Sequence, residues 1–129
     1  MAAQQACFHA FPRKLKYDLA KMKNAEEFQQ CAERLKALAD PERLRIVLTL
    51  FTGEMNVGQI ADSLGEDMVK VSHHLGVLRH AHIVTTQREG RFVKYRLHPE
   101  VAVHSEGEGN GHWIEFGCCR VDLTSAAQR

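Results

Sequence analysis

Residues 56–80 are NVGQIADSLGEDMVKVSHHLGVLRH, and this stretch decides the fold. Asn56 with Gln59 three residues later forms a capping box, and Gly65 is a typical helix end. Asp67 then offers a second N-cap. Apolar residues recur at helical spacing after each cap, at Val57, Ile60, Ala61 and Leu64 and then at Val71, Leu75 and Leu78. Two helices separated by so short a Gly-containing turn are predicted to form a helix-turn-helix.

The next stretch, IVTTQREGRFVKYRL over residues 83–97, changes the hydrophobic period from 3.6 to 2. Two runs in which apolar and polar residues alternate flank Glu89-Gly90, a two-residue hairpin signal. A helix-turn-helix followed at once by a hairpin is the element order of a winged helix. The predicted fold class is therefore mainly α (α+β), a winged helix-turn-helix with about five helices, a two-stranded β-hairpin wing and a short extended C-terminal segment.

Three amphipathic helices are predicted upstream of residue 56. The first lies within residues 13–23, and the second begins after the N-cap Asn24. The third is capped by Asp40, with Pro41 at its first position. The apolar residues expected on the inward faces of the second and third helices are Phe28, Cys31, Leu35 and Leu38, then Leu44, Val47, Leu48 and Phe51.

The chain divides into three predicted parts. Residues 1–23 form an N-terminal dimerisation arm and helix, residues 24–98 the winged helix-turn-helix DNA-binding domain, and residues 99–129 a C-terminal loop and strand-like segment. Within the last part, HPEVAVHSEGEGNGH is expected to be a loop, WIEFGCCRVDL one extended strand, and TSAAQR a frayed terminus.

The net charge of +1 conceals a segregation of charge along the chain. Residues 68–99 carry six lysines and arginines against Glu89 alone, whereas residues 100–129 carry five acids against two arginines. A phosphate backbone responds to charge within about one Debye length, roughly 8–10 Å. Because the basic segment coincides with the second helix of the helix-turn-helix and with the wing, double-stranded DNA is the expected partner.

The predicted DNA contacts lie on the outward face of the helix that begins after Asp67, on the preceding helix and on the wing. This outward face carries a cation, a hydroxyl and imidazoles without a carboxylate, which suits a groove lined by phosphates and base edges. The full predicted set is Lys70, Ser72, His73, Asn56, Gln59, Arg88, Arg91 and Lys94. The alternative hypothesis is a winged-helix module that binds a protein partner and does not read DNA.

Other classes of protein are not indicated. No apolar run approaches the roughly 18 residues of a membrane span, and the N-terminus lacks the pattern of a secretory signal. The sequence contains no nucleophile elbow, phosphate-binding loop or zinc-protease pair. We therefore predict that the protein is not an enzyme and does not bind membranes.

The four cysteines are interpreted as reduced thiols, because no secretory signal accompanies them. None forms a C-x-x-C pair, so a standard structural zinc site is not indicated. Cys31 is expected to be a small buried core residue. Cys118, Cys119 and Cys7 are the candidate metal ligands, provided that the chain turns at Gly117 and the two termini meet. This set would take a soft metal or metalloid ion. Two other interpretations remain open, a redox switch built from the same thiols and cysteines that only pack in a strand.

The segments ALADPERLRIV, NVGQIADSLG, VSHHLGVLRHAHIV and REGRFVKYRL together resemble the ArsR/SmtB-type family of small winged-helix repressors, over about residues 26–98. The resemblance implies a cytoplasmic homodimer that binds a pseudo-palindromic operator and leaves it when an inducer binds. It also implies that Lys70, Ser72 and His73 touch the bases. Met68 and Val69 depart from the family pattern, in which polar residues or Pro are common, and would favour contacts with thymine methyl groups.

The resemblance leaves the effector unassigned. Many relatives sense metals or arsenic through cysteines in the helix matched here by MNVGQIADSL, which contains none, and others use a C-terminal D-x-H pair, which is absent. The dimer interface is expected to involve residues 8–23 and residues 113–116. In the first of these ranges the apolar residues are Phe8, Phe11, Leu15, Leu19 and Met22.

Overall fold

A computed structural model of the chain describes residues 25–104 and 111–127. Its helices are α1 (Ala25–Leu38), α2 (Pro41–Leu50), α3 (Val57–Leu64), α4 (Met68–His80) and α5 (Thr124–Ala127). Its strands are β1 (Met55–Asn56), β2 (Val84–Glu89), β3 (Phe92–Leu97), β4 (Ala102–His104), β5 (His112–Glu115) and β6 (Arg120–Asp122). Among the helices of these two ranges, none combines the length and the apolar character needed to cross a bilayer. The helix predicted within residues 13–23 lies outside the described residues.

The helix-turn-helix forms as its local signals predicted. Asn56 and Gln59 close a reciprocal capping box at the start of α3, and Gly65 ends that helix in a left-handed conformation. The Asp67 side chain caps α4 by accepting a hydrogen bond from the amide of Val69. These bonds satisfy backbone groups that a helix end leaves without intrahelical partners. The two helices are therefore delimited by residues that the sequence identifies.

The wing is a three-stranded antiparallel sheet in the order β1-β3-β2. The hairpin turn differs by one residue from the prediction. Because Glu89 pairs with Phe92, the two turn residues are Gly90 and Arg91. Gly90 has a φ of +58°, which glycine adopts without the steric cost that a side chain would add. Strand β1, which the sequence pattern did not predict, pairs with β3 through Met55 and Asn56.

The core gathers the inward faces of the helices and the wing. Val71, Leu75 and Leu78 of α4 are buried, as their spacing predicted. Two helices differ from the expectation. In α2 the fully buried side chains are those of Ile46 and Val47, whereas Leu44, Leu48 and Phe51 are only partly buried. In α1 the buried side chains are Cys31, Ala37 and Leu38, whereas Phe28 is 50% exposed and Leu35 is 40% exposed.

The exposed stripe of α1 follows from its position at the edge of the protomer. The helix packs mainly against α2 and α4, so only one narrow face meets the core. Phe28 and Leu35 lie seven residues apart and therefore share a different stripe of the helix. Helical spacing predicted which residues lie on the same side of α1, but not which side would be buried against neighbouring helices.

The C-terminal segment forms a second antiparallel sheet in the order β4-β5-β6, which corrects the prediction of a loop followed by one extended strand. The predicted strand is broken at Gly117, whose φ of +84° makes the tight turn between β5 and β6. The predicted frayed terminus begins with the short helix α5. Ile114 and Phe116 are buried in the protomer's own core.

Replacing Asp40 with alanine is expected to lower the free energy of unfolding by about 1 kcal/mol at neutral pH. The Asp40 carboxylate accepts from the amides of Glu42 and Arg43 at the start of α2. The Arg43 amide is the main cause of a lowered Asp40 pKa. This contribution is therefore present above the unfolded-state pKa of about 3.9 and is lost as the pH falls through the lower folded-state pKa. Urea titrations across this range measure the effect.

Asp40→Asn is the matched control, because asparagine is also a good N-cap but does not titrate. It should retain most of the stability at neutral pH and remove the pH dependence. Equal stability of the wild type and Asp40→Ala at pH 7 would contradict the role of this cap.

Candidate nucleic-acid interface and cysteine cluster

The outward face of α4 carries mostly polar residues. Their orientation is set by the burial of the opposite, inward face. Because Val71, Leu75 and Leu78 are buried, the residues on the other side of the helix must face solvent. Lys70, Ser72 and His73 are all exposed there, as predicted. Val69 is 78% exposed and Met68 is 52% exposed at the start of the same helix. The face therefore presents a cation, a hydroxyl, an imidazole and two apolar side chains.

His74 connects α4 to the rest of the protomer through Arg43. The Nη1 atom of Arg43 lies 3.3 Å from Nδ1 of His74, and its Nε donates to the carbonyl oxygen of Ala37 at the end of α1. The same side chain lies 3.8 Å from the Asp40 carboxylate. Sequence patterns did not single out Arg43, because no local signal links positions 31 residues apart. Arg43 thus ties α4 to the ends of two other helices.

Asn56 and Gln59 use their carboxamide oxygens within α3. Oδ1 of Asn56 accepts from the Gln59 amide at 2.9 Å, and Oε1 of Gln59 accepts from the Asn56 amide at 3.0 Å. Gln59 is exposed, whereas Asn56 is partly buried. Each side chain keeps its NH2 group as a donor, which is the group that a phosphate oxygen would accept from.

The wing spreads its cations over both of its faces. Arg88 lies opposite Val93, and Lys94 lies opposite Gln87, so Arg88 and Lys94 project from opposite faces of the sheet. Lys94 forms an ion pair with Glu89 at 3.1 Å. Arg88 and Arg91 are exposed and take part in none of the ion pairs found among the described residues. The wing therefore offers Arg88 and Arg91 near its tip and Lys94 beside an acid.

A groove of about 680 Å³ runs between α1 and α4, next to the outward face of α4. Ser72 and His73 line it from α4, while Lys36 and Arg43 bring two further cations from the opposite side. Glu33 is the one carboxylate among the described lining residues. The positive character of the α4 face thus continues into this groove.

Three cysteines meet where α1 faces the turn between β5 and β6. Cys31 is buried in the core, as predicted. It forms a disulfide with Cys118, which corrects the interpretation of all the cysteines as reduced thiols. Sγ of Cys119 lies 3.7 Å from Sγ of Cys31 and 3.8 Å from Sγ of Cys118. The predicted turn at Gly117 does bring Cys118 and Cys119 together. Cys7 lies outside the described residues.

The surroundings of Cys119 favour its thiol form. Partial burial is the main cause of a raised Cys119 pKa, and the nearby Glu115 carboxylate raises this pKa further. Glu115 is held by Arg120, whose Nε donates to it at 2.9 Å. Cys31, Cys118 and Cys119 offer three sulfur atoms within 4.8 Å of one another, a group that could hold a metal ion. Spacing in the sequence did not reveal Cys31 as a member, since it lies 87 residues from Cys118.

Comparisons with known proteins match the winged-helix part of the chain. Residues 40–86 match the family model described as bacterial regulatory protein, arsR family. The biofilm growth-associated repressor of Xylella fastidiosa is 37% identical over 86 residues, which cover 67% of this chain and 71% of the repressor. The transcriptional repressor SdpR of Bacillus subtilis is 36% identical over 66 residues, which cover 51% of this chain and 73% of SdpR.

A solved structure shares the same architecture. The homodimeric winged helix-turn-helix DNA-binding domain of Mb0332 from Mycobacterium bovis matches with a TM-score of 0.57 and 32% sequence identity. The match covers 67% of this chain and 78% of that chain. The three clustered cysteines all lie outside the residues that the family model matches.

Proposed function

Because this chain belongs to the ArsR family of bacterial regulatory proteins, it is a DNA-binding transcriptional regulator and not an enzyme, and we propose that it represses transcription as a homodimer on a pseudo-palindromic operator. Bacterial regulatory proteins act on DNA in the cytoplasm, so we place the protein there. The observation that carries the proposal is the outward face of α4, which is polar, positively charged and free of carboxylates between residues 68 and 80.

The proposed base contacts come from Lys70, Ser72 and His73. In a helix-turn-helix the second helix lies in the major groove with its N-terminal residues on the base edges, and these three residues lie in the first half of α4. Lysine can donate to guanine, and a hydroxyl can pair with several base edges. Val69 and Met68, which are exposed beside them, suit the methyl groups of thymine.

The proposed phosphate contacts come from α3 and the wing. The free NH2 groups of Asn56 and Gln59 and the guanidinium groups of Arg88 and Arg91 would position the protein on the duplex. Lys94 would join them once DNA competes with Glu89 for its ammonium group. The alternative of a module that only binds proteins is not favoured, because the relatives matched are transcriptional repressors.

The homodimer is supported by the related Mb0332 domain, which is homodimeric. One protomer offers a single recognition helix of 13 residues, so two copies are needed to read a site of useful length. We propose residues 1–23 as the dimerisation arm, 24–98 as the DNA-binding domain and 99–129 as the C-terminal part. The exposed Phe28 and Leu35 of α1 would extend the interface from residues 8–23.

An inducer would release the protein from DNA by acting on its cysteines. Cys118 and Cys119 remain the proposed ligands of a soft metal or metalloid ion, or the targets of a thiol-reactive compound. Cys31 lies beside them, and the third candidate from the sequence, Cys7, lies outside the described residues.

Selection of bound sites from random duplex DNA tests the proposed function. The wild type is expected to enrich an inverted repeat whose half-sites are about 10–10.5 base pairs apart from centre to centre, or a multiple of this. Ser72→Ala should relax the preference at one position of each half-site, at a cost of about 1–3 kcal/mol. Ser63→Ala, an exposed serine of α3, is the matched control. Failure to enrich any sequence would overturn the proposal.

A further inference from the structure

We propose that Cys31, Cys118 and Cys119, once reduced, form a three-thiolate site for a soft thiophilic cation or a trivalent metalloid. The site would join α1 to the turn between β5 and β6. Binding to this site follows from the cluster itself, whereas the regulatory consequence rests on the proposed function. The disulfide between Cys31 and Cys118 is then the closed form of the site, in which two of its three donors are occupied by each other.

The spacing of the sulfur atoms fits such a site. Thiolates bind a tetrahedral metal such as Zn²⁺ at about 2.3 Å, which places two sulfur ligands about 3.8 Å apart. The two distances from Sγ of Cys119 are 3.7 Å and 3.8 Å, so two edges of the ligand triangle already have this length. The third distance, between Sγ of Cys31 and Sγ of Cys118, increases when the disulfide is reduced. The Cα atoms of Cys31 and Cys118 are 6.4 Å apart, so their sulfur atoms need only a change of side-chain torsion to separate.

The ligand class follows from the donors. The described cluster consists of three sulfur atoms and contains no imidazole or carboxylate ligand. Soft thiolate donors select thiophilic ions, whereas oxygen donors would be needed for Mg²⁺ or Ca²⁺. Cys31 is 8% exposed, and the other two cysteines are partly buried, so the ion would be shielded from much of the solvent.

A dithiol can supply the electrons and protons that open the disulfide before the ion binds. The disulfide of Cys31 and Cys118 takes two electrons and two protons from the dithiol, which becomes a disulfide itself. A divalent cation then binds as the three thiols release their protons to solvent. With arsenite, three sulfur–arsenic bonds form and three arsenic–oxygen bonds break. The three hydroxyl groups leave as water with the thiol protons.

The site lies on an element that contacts the recognition helix. Cys31 belongs to α1, and the carbonyl of Ala37 at the end of α1 accepts from Arg43, which also contacts His74 of α4. An ion that fixes the position of Cys31 relative to the C-terminal turn would therefore act on α4 through Arg43. All three ligands lie outside residues 40–86, so this device would belong to this chain and not to the shared domain.

Titration of the reduced full-length chain under anaerobic conditions tests the proposal, with Cd²⁺ and arsenite in separate arms and no DNA present. We expect one equivalent bound per chain in at least one arm, with a thiolate-to-metal ultraviolet band for Cd²⁺. Cys119→Ser should weaken binding at least about 100-fold, more than the loss of an outer-shell partner costs. This variant keeps Cys31 and Cys118, so its fold should persist. Cys7→Ser is the matched control and should bind as the wild type does.

Several results would overturn the inference. These are binding in neither arm, equal binding by Cys119→Ser and the wild type, or loss of binding in Cys7→Ser. The chain oxidised to the Cys31–Cys118 disulfide should bind at least about 100-fold more weakly than the reduced chain. DNA binding by the ion-free reduced chain is measured separately. Loss of ion binding with intact DNA binding contradicts only this inference, whereas the reverse contradicts only the proposed function.

Discussion

Replacing Lys70, Arg88 and Arg91 together with alanine is expected to weaken binding to duplex DNA by about a thousandfold at physiological salt. In a homodimer the change removes four phosphate-facing arginines of the wings and two base-contacting lysines, and electrostatic contacts of this kind dominate affinity. These three side chains are exposed and form none of the ion pairs found among the described residues, so each is available to DNA. Fluorescence anisotropy with a selected operator measures the loss.

The salt dependence separates this effect from damage to the fold. The slope of log K against log salt should become shallower by about 3.6, since each of the four lost phosphate contacts contributes about 0.9. Arg120→Ala removes a cation from the C-terminal sheet and is the control for net charge alone. It should leave both the affinity and the slope close to those of the wild type. A triple variant with an unchanged salt slope would refute the assigned interface.

Replacing Leu75 with alanine is expected to lower the free energy of unfolding by about 2–5 kcal/mol. The Leu75 side chain is fully buried on the inward face of α4, and its truncation leaves a cavity among Ile46, Ile60 and other core residues. A domain of this size is stabilised by only about 5–15 kcal/mol in total, so the loss should be plain in urea denaturation.

Val69→Ala is the matched control within the same helix. The Val69 side chain is 78% exposed, so its truncation should change the stability by no more than about 0.5 kcal/mol. The same substitution should reduce affinity for operators with thymine at the contacted position. If Leu75→Ala were as stable as Val69→Ala, the orientation assigned to α4 would be wrong.

Much of the candidate interface was predictable because its signals are local. The capping box at Asn56, the cap at Asp67 and the spacing of Val71, Leu75 and Leu78 together orient α4 about its own axis. Once the inward face is known, the outward positions of Lys70, Ser72 and His73 follow from helix geometry alone. The wing was predicted for a similar reason, with an error of one residue in its turn.

Other features depended on contacts between distant parts of the chain. The pairing of Cys31 with Cys118 and the contact of Arg43 with His74 each join segments far apart in sequence. No local pattern specifies such a contact, because many segments of similar composition could make it. The exposure of Phe28 and Leu35 belongs to the same group, since burial depends on which neighbour covers a helix.

Helix caps and hydrophobic periodicity in the chain were therefore sufficient to predict the winged helix-turn-helix and the side of α4 that faces solvent. These are properties of residues within a few positions of one another, where backbone hydrogen bonding and the 3.6-residue turn act directly. The folded structure alone determined that three cysteines from α1 and the C-terminal turn converge at one point. A thiol cluster of this kind depends on how two sheets and a helix pack, which short-range chemistry does not encode.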